Sequence, residues 1–128
     1  AHLKNLGYGN AKTGNDVTTF WLEGDLKISA REQIDFLKRL YKGSLPYSKG
    51  SIKILKKLMI VEENPQYIIR AKTGWAMRTN PQQGWYVGYV ETKGQVWFFA
   101  TNLEIRKKGD DAYRKEITMA ALKTKGIL

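Results

Sequence analysis

The sequence predicts an α+β fold in which an antiparallel β-sheet is flanked by helices. Three observations predict it. Two stretches with apolar residues at helical spacing precede residue 60. Three short runs rich in β-branched and aromatic residues fall between residues 67 and 101, the last two joined by a short Gly-bearing link that makes an antiparallel hairpin. A final helical stretch then closes the chain, so the strands are segregated from the helices rather than alternating with them.

The elements follow in order. The chain opens Ala1-His2-Leu3-Lys4-Asn5-Leu6, with neither Met nor an apolar signal region. Leu3 and Leu6 suit the last turn of an amphipathic helix broken at Gly7, as if the chain starts in the middle of a fold; a processed mature protein is the alternative. Residues 7–27 form a long loop rich in Gly, Asn, Asp and Thr, and long loops in compact domains are usually functional or disordered. Its apolar island Thr19-Phe20-Trp21-Leu22 is expected to anchor in a core. Ser29-Ala30-Arg31-Glu32 is a capping-box pattern. Ile34, Leu37 and Tyr41 then recur at helical spacing, widened by Phe36 and Leu40, and Gly43 and Pro46 stop the helix. Ser48 caps a second helix, with Ile52, Leu55, Leu58 and Met59 on one side and Lys49, Lys53, Lys56 and Lys57 on the other.

Beyond the break at Pro65, residues 67–73 read as a strand ending at Gly74. Residues 81–84 are a turn, 85–90 a second strand apolar on both faces, and 95–101 a third. Residues 104–111 read as a charged loop. From about Asp111 the last helix carries Tyr113, Ile117, Ala120 and Ala121, and Gly126 closes it. That helix is expected on one face of the sheet and the earlier helices on the other. Three strands alone leave apolar edges, which hints at a missing part of the fold.

Composition bounds the chemistry. The 128 residues fit one domain, and 42% hydrophobic content is enough for a core. Lys and Arg number 22 against 12 Asp and Glu, a net charge of +10. Zero Cys excludes disulfides, thiolate zinc sites and cysteine nucleophiles, and a single His leaves no His-rich metal cluster. No apolar run is long enough for a transmembrane helix.

The sharpest local feature is Lys72-Thr73-Gly74-Trp75 at a predicted strand end. A cation, a hydroxyl donor and a glycine that admits close approach suit an anionic substrate. The same triplet at Lys12-Thr13-Gly14 sits in a loop, so the bare triplet is weak. Its company is not: Tyr8-Gly9-Asn10, Phe20-Trp21-Leu22-Glu23-Gly24 and Leu26-Lys27-Ile28-Ser29-Ala30 precede it, Gly84-Trp85-Tyr86-Val87-Gly88-Tyr89-Val90-Glu91 and Trp97-Phe98-Phe99-Ala100 follow, and Arg114 opens the last helix. In order and spacing these closely resemble the class D (oxacillinase-type) serine β-lactamases, over essentially the whole chain.

The resemblance implies the β-lactamase/penicillin-binding transpeptidase-like fold, with residues 1–128 as its C-terminal half: 1–65 the helical and loop part, 66–128 three strands plus the C-terminal helix. The family's Ser-x-x-Lys nucleophile motif has no counterpart, since Ser44, Ser48 and Ser51 are followed at the third position by Tyr47, Ser51 and Ile54. The resemblance implies catalytic roles for Lys72, Trp21 and Trp75. Lys72 adds positive potential, the Trp75 amide serves an oxyanion hole, and the Trp21 indole holds a CO2-derived carboxylated lysine in the absent half. It implies substrate binding by Thr73, Gly74, Arg114, Met77, Arg78, Tyr8 and Leu22, with no metal and no cofactor in this chain. Trp75-Ala76-Met77 resembles members in which an aromatic and a Met roof the cleft, a pattern associated with carbapenem hydrolysis.

Plainer readings stand beside these. Trp21 can be a core anchor, Arg114 a partner of Asp110 or Asp111, Tyr8-Gly9-Asn10 a turn, Met77 a gap-filler and Arg78 a solvent-exposed turn residue. Expected partners are a β-lactam antibiotic and the N-terminal half of the same enzyme, with a homodimer left open and no nucleic acid or membrane. The expected location is periplasmic or secreted. A penicillin-sensing domain that stays acylated is the nearest rival. A basic nucleic-acid-binding module is a weaker one, because the lysines spread over helices while the aromatics fall on buried strands.

Overall fold

A computed structural model of the chain describes residues 2–15, 18–21 and 24–128. Helix α1 (His2–Leu6) ends at Gly7, whose φ of 55° is left-handed, and Arg39 donates to the Leu6 and Gly7 carbonyls. Helix α2 (Ala30–Lys42) starts at the expected capping box: Ser29 Oγ accepts from the Glu32 amide at 3.2 Å and Glu32 Oε2 from the Ser29 amide at 2.8 Å. It closes at left-handed Gly43. Helix α3 (Lys49–Leu58) is capped by Ser48, whose Oγ accepts from the Ser51 amide at 3.1 Å.

Four strands follow rather than three: β1 (Ile60–Glu63), β2 (Tyr67–Ala76), β3 (Gln82–Thr92) and β4 (Gln95–Ile105). They form one antiparallel sheet in the order β1-β2-β3-β4. Strand β1 escaped the sequence because it is four residues long, carries two glutamates and pairs through an irregular register, Ile60 opposite Arg70 and Glu62 opposite Ile69. Boundaries also move. Strand β3 begins at Gln82, so most of the turn expected at residues 81–84 is strand, because these residues pair with the ends of β2 and β4. Strand β2 does not end at Gly74 but runs to Ala76, because Gly74 keeps a partner in Trp85. Strand β4 runs to Ile105, opposite Gln82, which shortens the expected charged loop. A short 3-10 turn (Asp110–Ala112) leads into helix α4 (Tyr113–Thr124).

The sheet is apolar on both faces, as expected. Leu37, Leu40, Leu45, Ile52, Met59 and Tyr89 form one buried cluster with α2 and α3. Ile69, Ala71, Tyr86, Val90 and Leu122 form the other, beneath α4. Close strand packing demands Gly88: a Cβ there would lie 2.1 Å from the Arg70 carbonyl oxygen.

Two helix faces depart from expectation. On α3 only Ile52 is buried, and Met59 just after it, while Leu55 is 42% and Leu58 77% exposed. The short helix rests on a narrow line, and the Lys56 ammonium, donating to the Tyr41 carbonyl at 2.6 Å, occupies the flank. On α4 the buried residues are Arg114, Thr118 and Leu122, four apart, whereas Tyr113 and Ile117 are half exposed and Ala120 and Ala121 face solvent. The sheet beneath presents polar groups, and polar side chains meet them: Thr118 Oγ1 lies 2.6 Å from Thr101 Oγ1, and Arg114 reaches the Gly74 carbonyl.

Candidate active site

A cavity of about 600 Å³ lies where the loop before α2 meets the C-terminal half of β2. Tyr8-Gly9-Asn10 precedes α2 in the chain, and only Tyr8 of the three lines the cavity. Gly9 has a φ of 52°, and a Cβ there would sit 2.1 Å from the Lys27 carbonyl oxygen. Asn10 zips the two sides of the loop together. Its amide donates to the Lys27 carbonyl at 2.9 Å, its Nδ2 to the Asp25 carbonyl at 2.8 Å, and its Oδ1 accepts from the Lys27 amide at 3.1 Å. Here the plain turn reading of the triplet holds for Gly9 and Asn10. Tyr8 does line the cavity; it sits edge-on to Phe36 with ring centroids 5.0 Å apart. Its hydroxyl accepts from Gln33 Nε2 at 2.7 Å. Burial pushes the Tyr8 phenol above its ordinary value, against the opposing effect of the Gln33 bond.

Trp21 lines the cavity and is 56% exposed, its ring edge-on to Phe20. It is therefore not a core anchor, and of the described island only Thr19 and Phe20 are half-buried. Leu22 lies outside the described residues.

The strand edge is the centre of the site. Strand β1 pairs with β2 only as far as Arg70, and the Ala71 amide donates outward to the Met59 carbonyl at 2.8 Å. Alternation along an antiparallel strand turns the Thr73 and Trp75 amides to that same outer edge, where β1 no longer reaches. Lys72, exposed, lies across from Val87 on the helix-α2 side and donates from Nζ to the Thr73 carbonyl at 2.7 Å. Thr73 and Gly74 also line the cavity. Lys27 and Lys72 are its charged lining residues, with no carboxylate among the described residues that line it. A pocket of this charge suits an anionic ligand.

Trp75 contributes to two faces. Its ring turns to the α4 side, where the Arg114 guanidinium lies 5.7 Å from the ring centre and Gln82 Oε1 accepts from the indole N–H at 2.9 Å. Arg114 does not line the cavity. It is buried behind β2, donating from Nη1 to the Gly74 carbonyl at 2.8 Å and from Nε to the Asp111 carbonyl at 2.7 Å, with Nη2 3.5 Å from Asp111 Oδ2. Asp110 instead accepts from the Arg106 and Lys107 amides. Met77, 61% exposed, and Arg78 sit on the turn after β2 and do not line the cavity; Met77 fills no gap.

Most of the other lining residues were not expected as site residues, among them Lys27, Gln33 and Thr79. Gln33 interrupts the apolar stripe of α2 four residues before Leu37, and a buried polar residue on such a stripe is the signal that could have found it. Thr79 had no signal; it enters because the turn folds back, its one hydroxyl proton shared between the Ala76 and Pro81 carbonyls, 3.0 Å from each. Among the described residues no group of three His, Asp or Glu could hold a metal ion.

The α+β sheet and the lysine-bearing strand edge beside a cationic cavity are the arrangement that the sequence resemblance implied. The penicillin binding protein transpeptidase domain family matches residues 1–123, and the chain belongs to that family. Its homologues within it include class D β-lactamases. It is 45% identical over 126 residues to β-lactamase OXA-48 of Klebsiella pneumoniae, covering 98% of this chain and 48% of that protein. It is 38% identical over 130 residues to β-lactamase OXA-5 of Pseudomonas aeruginosa, covering 99% and 49%. The crystal structure of the class D β-lactamase YbXI from Nostoc superposes with a TM-score of 0.94 at 44% identity, covering 99% of this chain and 54% of that one. The chain thus spans about half the length of the relatives it matches.

Proposed function

We propose that this chain forms part of a class D β-lactamase that opens β-lactam antibiotics through a serine acyl-enzyme. The observation that carries the reading is the outer edge of β2. There the amides of Thr73 and Trp75 are left unpaired by β1, beside Lys72, in a cavity of about 600 Å³. The nucleophilic serine of a Ser-x-x-Lys motif is absent from the 128 residues, so the reading assigns it to an N-terminal half of the same enzyme.

In this reading the serine hydroxyl attacks the lactam carbonyl, an ester bond forms, the ring C–N bond breaks and the ring nitrogen takes up a proton. Water then hydrolyses the ester. The Trp75 N–H donates to the oxygen that becomes negative in the tetrahedral state, a bond of a type worth about 3–4 kcal/mol. Lys72 and Thr73 hold the substrate carboxylate. Arg114 adds positive potential from behind the strand and keeps the Gly74 carbonyl turned away from the substrate. The Trp21 indole orients a lysine of the other half that carries a CO2-derived carboxylate, which supplies the general base. Tyr8 forms the floor, Leu22 an apolar guard beside the carboxylate, and Met77 and Arg78 the mouth. The enzyme would act in the periplasm or outside the cell.

The test is nitrocefin turnover by the chain alone and co-expressed with the N-terminal half of a class D relative. Turnover is expected only from the pair, and Lys72→Ala in the pair is expected to lower it by about 100-fold with folding intact. Turnover by the 128 residues alone would refute the division of labour. Little change on Lys72→Ala sinks the site, and acylation that stops at one equivalent identifies a penicillin sensor instead.

A further inference from the structure

Helix α2 buries one polar side chain beside Leu37 and Leu40. Gln33 is 8% exposed and stands four residues before Leu37, on the same face of the helix. A carboxamide in that position costs stability unless its polar atoms are bonded. Its Nε2 donates to Tyr8 Oη at 2.7 Å, across 25 residues of chain. The next turns of the helix grip the segment that carries Tyr8. Phe36 meets the Tyr8 ring edge-on, and Arg39 donates to the Leu6 and Gly7 carbonyls. Gln33 and Tyr8 both line the cavity.

The direction of that bond decides what Tyr8 can do. A phenol has one proton to give and lone pairs with which to accept. Gln33 takes an acceptor position on Oη, so the Tyr8 proton stays available, and none of the described residues accepts it. A bond in the reverse sense would spend that proton on Gln33. Tyr8 belongs to the wall of the cavity that the loop before α2 supplies, with Trp21 and Lys27, while Thr73 and Trp75 belong to the strand wall.

We propose that Gln33 is a positioning residue that turns the Tyr8 hydroxyl into a hydrogen-bond donor for the acyl side-chain carbonyl of a β-lactam. The inference rests on the proposed β-lactamase reading. There the substrate carboxylate sits at Lys72 and Thr73 and the lactam oxygen at the Trp75 N–H. The acyl side chain leaves the ring on the side away from the carboxylate, towards the loop wall. On that wall the Trp21 indole is given to a lysine of the other half and Lys27 is a charge, so Tyr8 is the neutral donor left for an uncharged carbonyl. Burial pushes its phenol above the ordinary value, so it keeps its proton through the neutral range. The absent half is the other source of an acceptor. An acceptor there serves every substrate alike, whereas one on the acyl side chain serves only substrates that carry it.

Two measurements test it. The first is an ultraviolet difference titration of the 128-residue chain against Tyr8→Phe, with the cavity cations Lys27 and Lys72 and the neighbouring Arg39 unchanged. A donor to Oη favours the phenolate, so Gln33→Met is expected to move the Tyr8 titration upward. A downward move means that Gln33 accepts from Tyr8, and overturns the proposal. The second measurement uses the chain paired with the N-terminal half of a class D relative. It compares kcat/KM for benzylpenicillin with that for 6-aminopenicillanic acid, which lacks the acyl group. The ratio of the two is expected to fall about fivefold in Tyr8→Phe, which removes only the hydroxyl, and in Gln33→Met. Gln33→Glu at about pH 8 is an ionised side chain of the same size that bonds Tyr8 only by accepting, so it should lose the ratio as Gln33→Met does. A Glu variant with the parent's ratio means that the bond merely packs the loop, and overturns the proposal. An equal loss on both substrates places the acceptor in the other half and overturns it too, as does an unchanged ratio in Tyr8→Phe. If the parent pair turns over neither substrate, the hydrolase reading fails and this inference with it.

Discussion

Arg114 donates from Nη1 to the carbonyl oxygen of Gly74 at 2.8 Å, joining the start of α4 to the strand edge that forms the candidate site. The bond spans 40 residues of chain and lies on the face of the sheet away from the cavity. Gly84 makes room for it: a Cβ there would lie 2.9 Å from Arg114 Cδ.

Removing that guanidinium takes one donor from the Gly74 carbonyl, which keeps its β3 partner Trp85, and leaves the Asp111 carbonyl and carboxylate without theirs. Arg114→Ala is expected to destabilise the chain by about 2–3 kcal/mol in urea unfolding. Arg114→Lys should recover less than half, because one ammonium cannot replace the planar fork that serves Gly74 and Asp111 together. A lysine variant as stable as the parent would show that charge alone matters.

The two glycines of β3 should differ. A Cβ at Gly88 meets backbone, the Arg70 carbonyl oxygen at 2.1 Å and Ala71 Cα at 2.8 Å. At Gly84 it meets side chains rather than backbone, Ile105 Cδ1 at 2.8 Å and Arg114 Cδ at 2.9 Å. Overpacking costs are typically about 1–3 kcal/mol. Gly88→Ala should exceed that range and Gly84→Ala fall within it, as thermal melts of the two variants would report. The reverse order would contradict the packing.

Tyr89 is wholly buried and its hydroxyl has no hydrogen-bond partner. Burial pushes its phenol up to about 12, with the Arg70 charge opposing. The unfolded phenol titrates near 10.0, so the folded state holds its proton longer. The stability linked to this difference is fully present below pH 10 and is lost as pH rises towards 12. Tyr89→Phe should flatten that alkaline loss and raise stability near neutrality by about 1 kcal/mol, because it removes an orphaned polar group. Urea midpoints across alkaline pH decide it; a clear loss of stability at pH 7 would mean that the hydroxyl has a partner.

The α2 cap titrates in the opposite direction. The Ser29 backbone amide, donating to the Glu32 carboxylate, holds its titration below the ordinary value of 4.5, helped by the Ser29 side chain. That contribution is present above the ordinary carboxylate range and is lost as pH falls through the lowered value. Ser29→Ala should cost about 1 kcal/mol at neutral pH. Glu32→Gln should remove the cap's acid sensitivity while keeping a side chain able to accept from the Ser29 amide. An unchanged acid midpoint in the Gln variant would assign the sensitivity elsewhere.

Local signals were the legible ones. The Ser29 box, the Ser48 cap, the left-handed stop at Gly43 and the hairpin at residues 92–95 depend on a few neighbouring residues, and each stands where the sequence puts it. The site was legible in part. Tyr8, Trp21, Lys72, Thr73, Gly74 and Trp75 share one cavity, while Arg114, Met77 and Arg78 do not line it. Strand β1 carried too little pattern to be seen, because its pairing with β2 is what makes it a strand.

The sequence by itself determined the helices and three of the four strands, their order, the two apolar faces of the sheet and the lysine-bearing strand. Periodicity and capping are properties of adjacent residues, and these features follow from them. Tertiary structure alone decided how each helix is rotated on the sheet and which part of Trp75 faces the cavity. The apolar residues of α4 pointed to Tyr113 and Ile117, but the helix buries Arg114 and Thr118 because the Gly74 carbonyl and the Thr101 hydroxyl lie beneath them. A buried polar group must find a partner, and which partners a sheet presents depends on strands distant in the chain.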